Sequence, residues 1–177
     1  MTRWLFVFCI TFVFSSTSCA LTLQNTLFEK VGTEVGIDPL LLYSVALAES
    51  AYNPNNTDTI SPHPWTLRTS VPIYLNSPEE AKARLVQEMQ KTNLIDVGLM
   101  QINLKWHAHR VPDPLTLLDP ETNLRVGAQI LKEALLSSPH NLVTAIGRFH
   151  SYDPKLSRRY GLTVYWIYID LMNQIEQ

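Results

Sequence analysis

In the run DPLLLYSVALAES, Leu42, Val45, Ala46 and Glu49 recur at three- and four-residue spacing, which puts Glu49 on the apolar side of a helix ending just beyond it. Carboxylates are rarely found there. Partial burial disfavours the charged form, and the negative end of the helix dipole acts in the same direction. A carboxyl group that keeps its proton near neutral pH is equipped to act as a general acid. The plainer alternative is a glutamate whose stem covers a leucine while its head reaches water. Ser50 and Tyr52 follow, and either could line a cleft or cap the helix end. A second stretch, DVGLMQIN at residues 96–103, holds Gln101 as the one polar side chain within GLMQI. Gly98 marks either a turn or a close approach of backbone to a ligand. Asp96 reads as the cap of a helix beginning near Gly98 or as the holder of Gly98's turn, with substrate contact or a role as a second catalytic carboxylate facing Glu49 as the alternatives.

Other chemistries find less support. The five histidines are His63, His107, His109, His140 and His150. His107 and His109 form the close pair, at a spacing suited to a strand, and no third metal ligand recurs at a recognisable distance. The sequence has no G-x-S-x-G elbow, glycine-rich phosphate loop or dinucleotide fingerprint. The expectation is a site without metal or cofactor.

The elements that must position these residues are mostly helical. Leu27, Phe28, Val31 and Val35 share a helical face closed by Gly36, and Asp38–Pro39 opens the helix that carries Glu49. NPNNTDTISPHPW is loop, and TLRTSVPIYLN reads as a small hairpin around residues 70–72. In SPEEAKARLVQEMQKT, Ser77, Pro78 and Glu80 make a capped helix start. Asp119–Pro120 opens a helix to about Leu136, with Gly127 and Ala128 permitting close helix contact; another starts near His140. The last, from Leu162 to about Ile175, is apolar almost all round, but Asp170 and flanking Arg and Asn residues break any span. The pattern predicts one mostly α domain with a small extended insertion at about 54–95.

The full chain has 177 residues and a formal charge of −2. That length supports one domain with a real core. Arg158–Arg159 is a pair rather than a basic patch, so nucleic acid is not an expected partner. Residues 1–20 have the layout of a secretory signal: Arg3, an apolar run from Trp4 to Phe14, and small residues up to Ala20. Cleavage after Ala20 would leave 21–177 as the mature domain. A lipoprotein signal at Cys19 and an uncleaved anchor are the alternatives, and Ser16 stands where a lipid-attachment signal usually has Leu. Both cysteines, Cys9 and Cys19, lie in this segment, so the mature chain would be exported without disulfides.

Four stretches in order, ALAESAYNPN, DVGLMQIN, DPETNLRVGAQIL and TAIGRFHS, carry a family resemblance. They span about residues 40–151. The chain resembles the soluble lytic transglycosylase (SLT) domain of the goose-type lysozyme-like superfamily, and the small members that accompany conjugation and type IV secretion machinery. The resemblance implies a helical lysozyme-like fold and an enzyme acting on peptidoglycan glycan strands; with the leader, the expected location is the periplasm, and the expected state is a monomer. Glu49 matches the family's sole catalytic carboxylate, which protonates the oxygen linking N-acetylmuramic acid to N-acetylglucosamine. It then acts as base on the muramoyl C6 hydroxyl, giving a 1,6-anhydro end; the substrate's N-acetyl group replaces a second acid. Ser50, Gly98, Leu99, Met100 and Gln101 match residues that line the family's cleft. The family tyrosine that reaches the acid is best matched by Tyr165, with Tyr160 or Tyr168 as alternatives.

Two departures stand out. Phe149-His150-Ser151-Tyr152 replaces the usual Tyr-Asn-x-Gly element; Phe149 can stack on a sugar and His150 stands in for an amide. The insertion is also long, and it carries Trp65, which is either a sugar platform or core filling. A non-catalytic, glycan-binding component of the same machinery is the alternative that the Phe149-His150 change favours. A water-using lysozyme is the alternative that a catalytic Asp96 would favour.

Overall fold

The computed structural model describes residues 22–54 and 60–175; the leader expected at 1–20 lies outside them. Helix α1 (Leu27–Val35) starts at Thr26, whose hydroxyl accepts the Glu29 N–H, and ends at Gly36 in the left-handed region. Helix α2 (Pro39–Ser50) is capped by the Asp38 carboxylate, which accepts the Leu40 N–H. Strands β1 (Ala51–Tyr52) and β2 (Ser61–Pro62) pair antiparallel. β3 (Thr66–Arg68) and β4 (Pro72–Tyr74) form the expected hairpin. In α3 (Pro78–Met89), Ser77 accepts the Glu80 N–H while the Glu80 carboxylate accepts the N–H of Asn76.

The stretch 96–103 departs from expectation. No helix begins near Gly98: β5 (Asp96–Val97) and β6 (Ile102–Asn103) form an antiparallel pair around a tight turn. They complete a four-stranded sheet of order β4-β3-β5-β6. Asp96 is therefore a strand residue rather than a helix cap. Helix α4 (Leu104–His107) and two 3-10 turns (Ala108–Arg110 and Pro114–Leu118) lead to α5 (Pro120–Ser137).

Helix α6 (Leu142–His150) starts two residues past His140, because Asn141 supplies the capping oxygen to the Thr144 N–H. The final helix α7 (Pro154–Ile175) begins well before Leu162. Asp153 accepts the N–H groups of Lys155 and Leu156, so the Asp–Pro pair that opens α2 and α5 also opens α7.

The helices pack as a ring, α1 on α2, α2 on α7, α7 on α6, α6 on α5 and α5 back on α1. Leu42 and Val45 of α2, Leu124 and Leu131 of α5, Ile146 of α6 and Val164 of α7 are fully buried. The fold is mostly helical with a small antiparallel sheet, as the sequence patterns predict. Among the described residues no single helix is long and apolar enough to cross a membrane.

Candidate active site

Glu49 sits in the last turn of α2, 8% exposed. Packing of α2 against α7 brings the Tyr160 hydroxyl to it, and that hydroxyl donates to Glu49 Oε1 at 2.6 Å. Burial pushes the Glu49 carboxyl from its ordinary 4.5 up to about 7. The Tyr160 hydrogen bond and the Arg68 charge oppose that rise, and the Asp96 charge adds to it. Tyr160 itself is held well above its ordinary value, by burial first and by Glu49 second, so it remains a donor. Two rings from the end of α6 back it: His150 stacks on Tyr160 with centroids 4.8 Å apart, and Phe149 lies 6.3 Å away at 26°. Burial lowers the His150 value, which favours a neutral imidazole near pH 7.

The sheet supplies the facing wall. Pairing sets Arg68 opposite Asp96 and Asp96 opposite Asn103, so the three form a row across β3, β5 and β6. Asn103 Nδ2 donates to Asp96 Oδ1 at 2.7 Å. Arg68 Nη2 donates to the backbone carbonyl of Glu49 at 3.2 Å, while its Nε is buried without a hydrogen-bond partner among the described residues. This row, Glu49, Gln101, Phe149, His150 and Trp106 line one cavity of about 270 Å³. The arrangement holds one carboxyl raised to about 7, a phenol donor, a guanidinium and a second carboxylate around a space the size of a small polar group or sugar.

The GLMQ turn plays a different part from the one its motif implied. Gly98 has φ +79°, and a Cβ there would lie 2.2 Å from Asn123 Nδ2. Asn123, fully buried on α5, donates to the carbonyls of Val97 (2.8 Å) and Leu117 (2.9 Å) and accepts the Met100 N–H (2.8 Å). Met100 is fully buried, and its side chain fills the space over Gly127 that was expected to admit another helix. Leu99 is 6% exposed and belongs to the core. The Ser50 hydroxyl is buried and lies 2.8 Å from the Leu99 carbonyl, tying the turn to the end of α2. Gln101, at φ +45°, donates from its amide to the carbonyls of Gly98 (2.9 Å) and Thr66 (3.1 Å). Its Oε1 is buried with no hydrogen-bond partner among the described residues.

The structure thus brings Glu49, Gln101, Phe149 and His150 to one cavity, and does not place Ser50, Gly98, Leu99, Met100 or Tyr165 on its wall. The tyrosine that reaches Glu49 is Tyr160, not Tyr165. Five residues along an α-helix rotate a side chain by about 140°, so the two cannot face the same neighbour. Tyr165 is half-buried and packs edge-on against Trp166. Tyr160 lies beside the buried stripe of Ser157, Gly161 and Val164, a signal that becomes visible once the helix is started at Pro154. Trp65 is half-buried against the core, edge-on to His63, and outside the cavity. Arg68, Asn123 and Trp106 were not singled out by the sequence, because each depends on a strand register or a long-range contact.

The family model described as the transglycosylase SLT domain matches residues 26–159, from the cap of α1 to the residue before Tyr160. No curated protein and no solved structure matches the chain significantly. A match over that much of the sequence shows that the chain belongs to the transglycosylase SLT domain family.

Proposed function

We propose that the protein is an exported peptidoglycan lytic transglycosylase that cleaves the β-1,4 bond between N-acetylmuramic acid and N-acetylglucosamine and leaves 1,6-anhydromuramoyl ends. Family membership supports transglycosylase-type activity on peptidoglycan. The observation that carries the finer reading is the Glu49–Tyr160 pair: a carboxyl raised to about 7, buried, and oriented by a 2.6 Å hydrogen bond in a sugar-sized cavity.

In this reading the protonated Glu49 gives its proton to the glycosidic oxygen as the bond from C1 breaks. The N-acetylglucosamine leaves as a free 4-hydroxyl, and the muramoyl acetamido oxygen covers C1. The Glu49 carboxylate then takes the proton of the muramoyl C6 hydroxyl as its oxygen bonds C1, which regenerates the acid without consuming water. Tyr160 holds one carboxylate oxygen and leaves the other to meet substrate. A second reading, water-using hydrolysis, draws on Asp96 lining the same cavity as Glu49. The basic and apolar layout of residues 1–20 supports export to the periplasm, and the resemblance to small secretion- and conjugation-associated members supports local wall opening for such an apparatus.

Digestion of purified peptidoglycan by wild type and Glu49→Gln, with the products weighed by mass spectrometry, tests this. The expectation is anhydro ends, one water lighter than reducing ends, and a loss of at least about 10²-fold in the variant. Reducing ends would establish the hydrolytic reading instead, and binding without release would sink the enzymatic one.

A further inference from the structure

The groove between α6 and α7 carries a second cavity, of about 440 Å³, within the usual range for ligand sites. It shares no lining residue with the Glu49 cavity. Arg148 and His150 stand two positions apart on α6, as do Arg158 and Tyr160 on α7, so the members of each pair point about 200° apart. His150 and Tyr160 are turned to Glu49, and the two arginines therefore face the other side of the helix pair. The base of the groove is fixed. Gly147 packs on the Ser157 carbonyl and Gly161 on that of Val143, with no room for a Cβ at either.

Two guanidinium groups line this cavity and no carboxylate does, in a chain whose formal charge is −2. Arg148 donates from Nη1 to Ser137 and lies over the Tyr152 ring, 5.6 Å from its centroid. Its Nε and Nη2, and the whole Arg158 guanidinium, have no hydrogen bond or ion pair among the described residues. The neighbouring acid, Asp153, accepts the first N–H groups of α7. Guanidinium forks left with free donors match the paired oxygens of a carboxylate. Val143, Pro154 and Leu162 add an apolar wall, and Asn141 and Thr144 an amide and a hydroxyl. A bare inorganic anion would use the charges alone. Carboxylates set among amides and short apolar groups would use every wall, and that is the chemistry of a short acidic peptide.

We propose that the α6–α7 groove binds the carboxylates of a short acidic peptide, and that this peptide is the stem carried on the muramoyl lactyl group of peptidoglycan. The source of the peptide rests on the peptidoglycan reading of the Glu49 cavity. Because the groove faces away from that cavity, the stem it holds belongs to a strand other than the one being cleaved. Isothermal titration of the wall tripeptide L-alanyl-γ-D-glutamyl-meso-diaminopimelate into wild type and Arg158→Glu tests this. Arg158 is exposed, so the variant should unfold at the wild-type temperature. Its affinity for the tripeptide should fall at least about tenfold, and the tripeptide with amidated carboxylates should bind wild type as weakly. Equal tripeptide binding by the two proteins overturns the site. Displacement of the tripeptide by equimolar inorganic phosphate overturns the peptide in favour of a simple anion. Tighter binding of all-L alanyl-glutamyl-leucine overturns the wall source in favour of a protein segment. Wild type that releases anhydro ends from peptidoglycan but binds no tripeptide overturns the groove proposal and leaves the cleavage reading standing.

Discussion

At the scale of single residues, the proposed chemistry turns on what surrounds one carboxyl group. Glu49 is raised to about 7 by burial, against the pull of Tyr160 and Arg68 and with the push of Asp96. A general acid must hold its proton in the resting enzyme, so kcat/KM should decline as pH rises through about 7. Arg68→Met removes a charge that favours the carboxylate, and should carry that alkaline limb to higher pH. Asp96→Asn removes a charge that disfavours it, and should carry the limb lower. Rates of anhydro-muropeptide release across a pH series would show both shifts; limbs that stay in place in both variants would mean that Glu49 is not the titrating acid.

At the scale of elements, the site depends on a turn that the core holds from below. Asn123 on α5 spends its whole amide on Val97, Leu117 and Met100, across the β5–β6 turn. Asn123→Asp keeps the shape but turns two donors into an acceptor facing two buried carbonyls. We expect a loss on the order of 3 kcal/mol or more in urea unfolding, with activity falling in parallel. A stability within about 0.5 kcal/mol of wild type would show that the turn is held by its own geometry instead.

At the scale of the molecule, a buried acid at the junction of α2 and α7 sets activity against stability. The folded state holds the Glu49 proton more tightly than the unfolded chain, whose value is the ordinary 4.5. That contribution is fully present below pH 4.5 and is lost as pH rises to about 7. Glu49→Gln keeps an acceptor for Tyr160 and cannot ionise. It should therefore gain stability over wild type between pH 5 and pH 8, by an amount on the order of 3 kcal/mol. Chemical denaturation of both proteins at the two pH values measures this, and a difference that does not change with pH would contradict it.

The sequence by itself determined the helical class, most helix starts, and Glu49 as an acid on an apolar face. These follow from local signals: three- and four-residue spacing, Asp–Pro and Ser–Pro caps, and the order of four motif stretches. It misread 96–103 as a helix start, because an acid, a glycine and an apolar run fit a cap as well as a tight hairpin. Only β3 pairing with β5 separates the two. Tertiary structure alone decided which side chains meet Glu49. Arg68 reaches it through strand register, Tyr160 through the rotation of α7, and Ser50 and Met100 were drawn into the scaffold by contacts with Leu99 and Gly127. Burial raises the carboxyl to about 7, and burial at Glu49 exists only once α2, α7 and the sheet have closed around it.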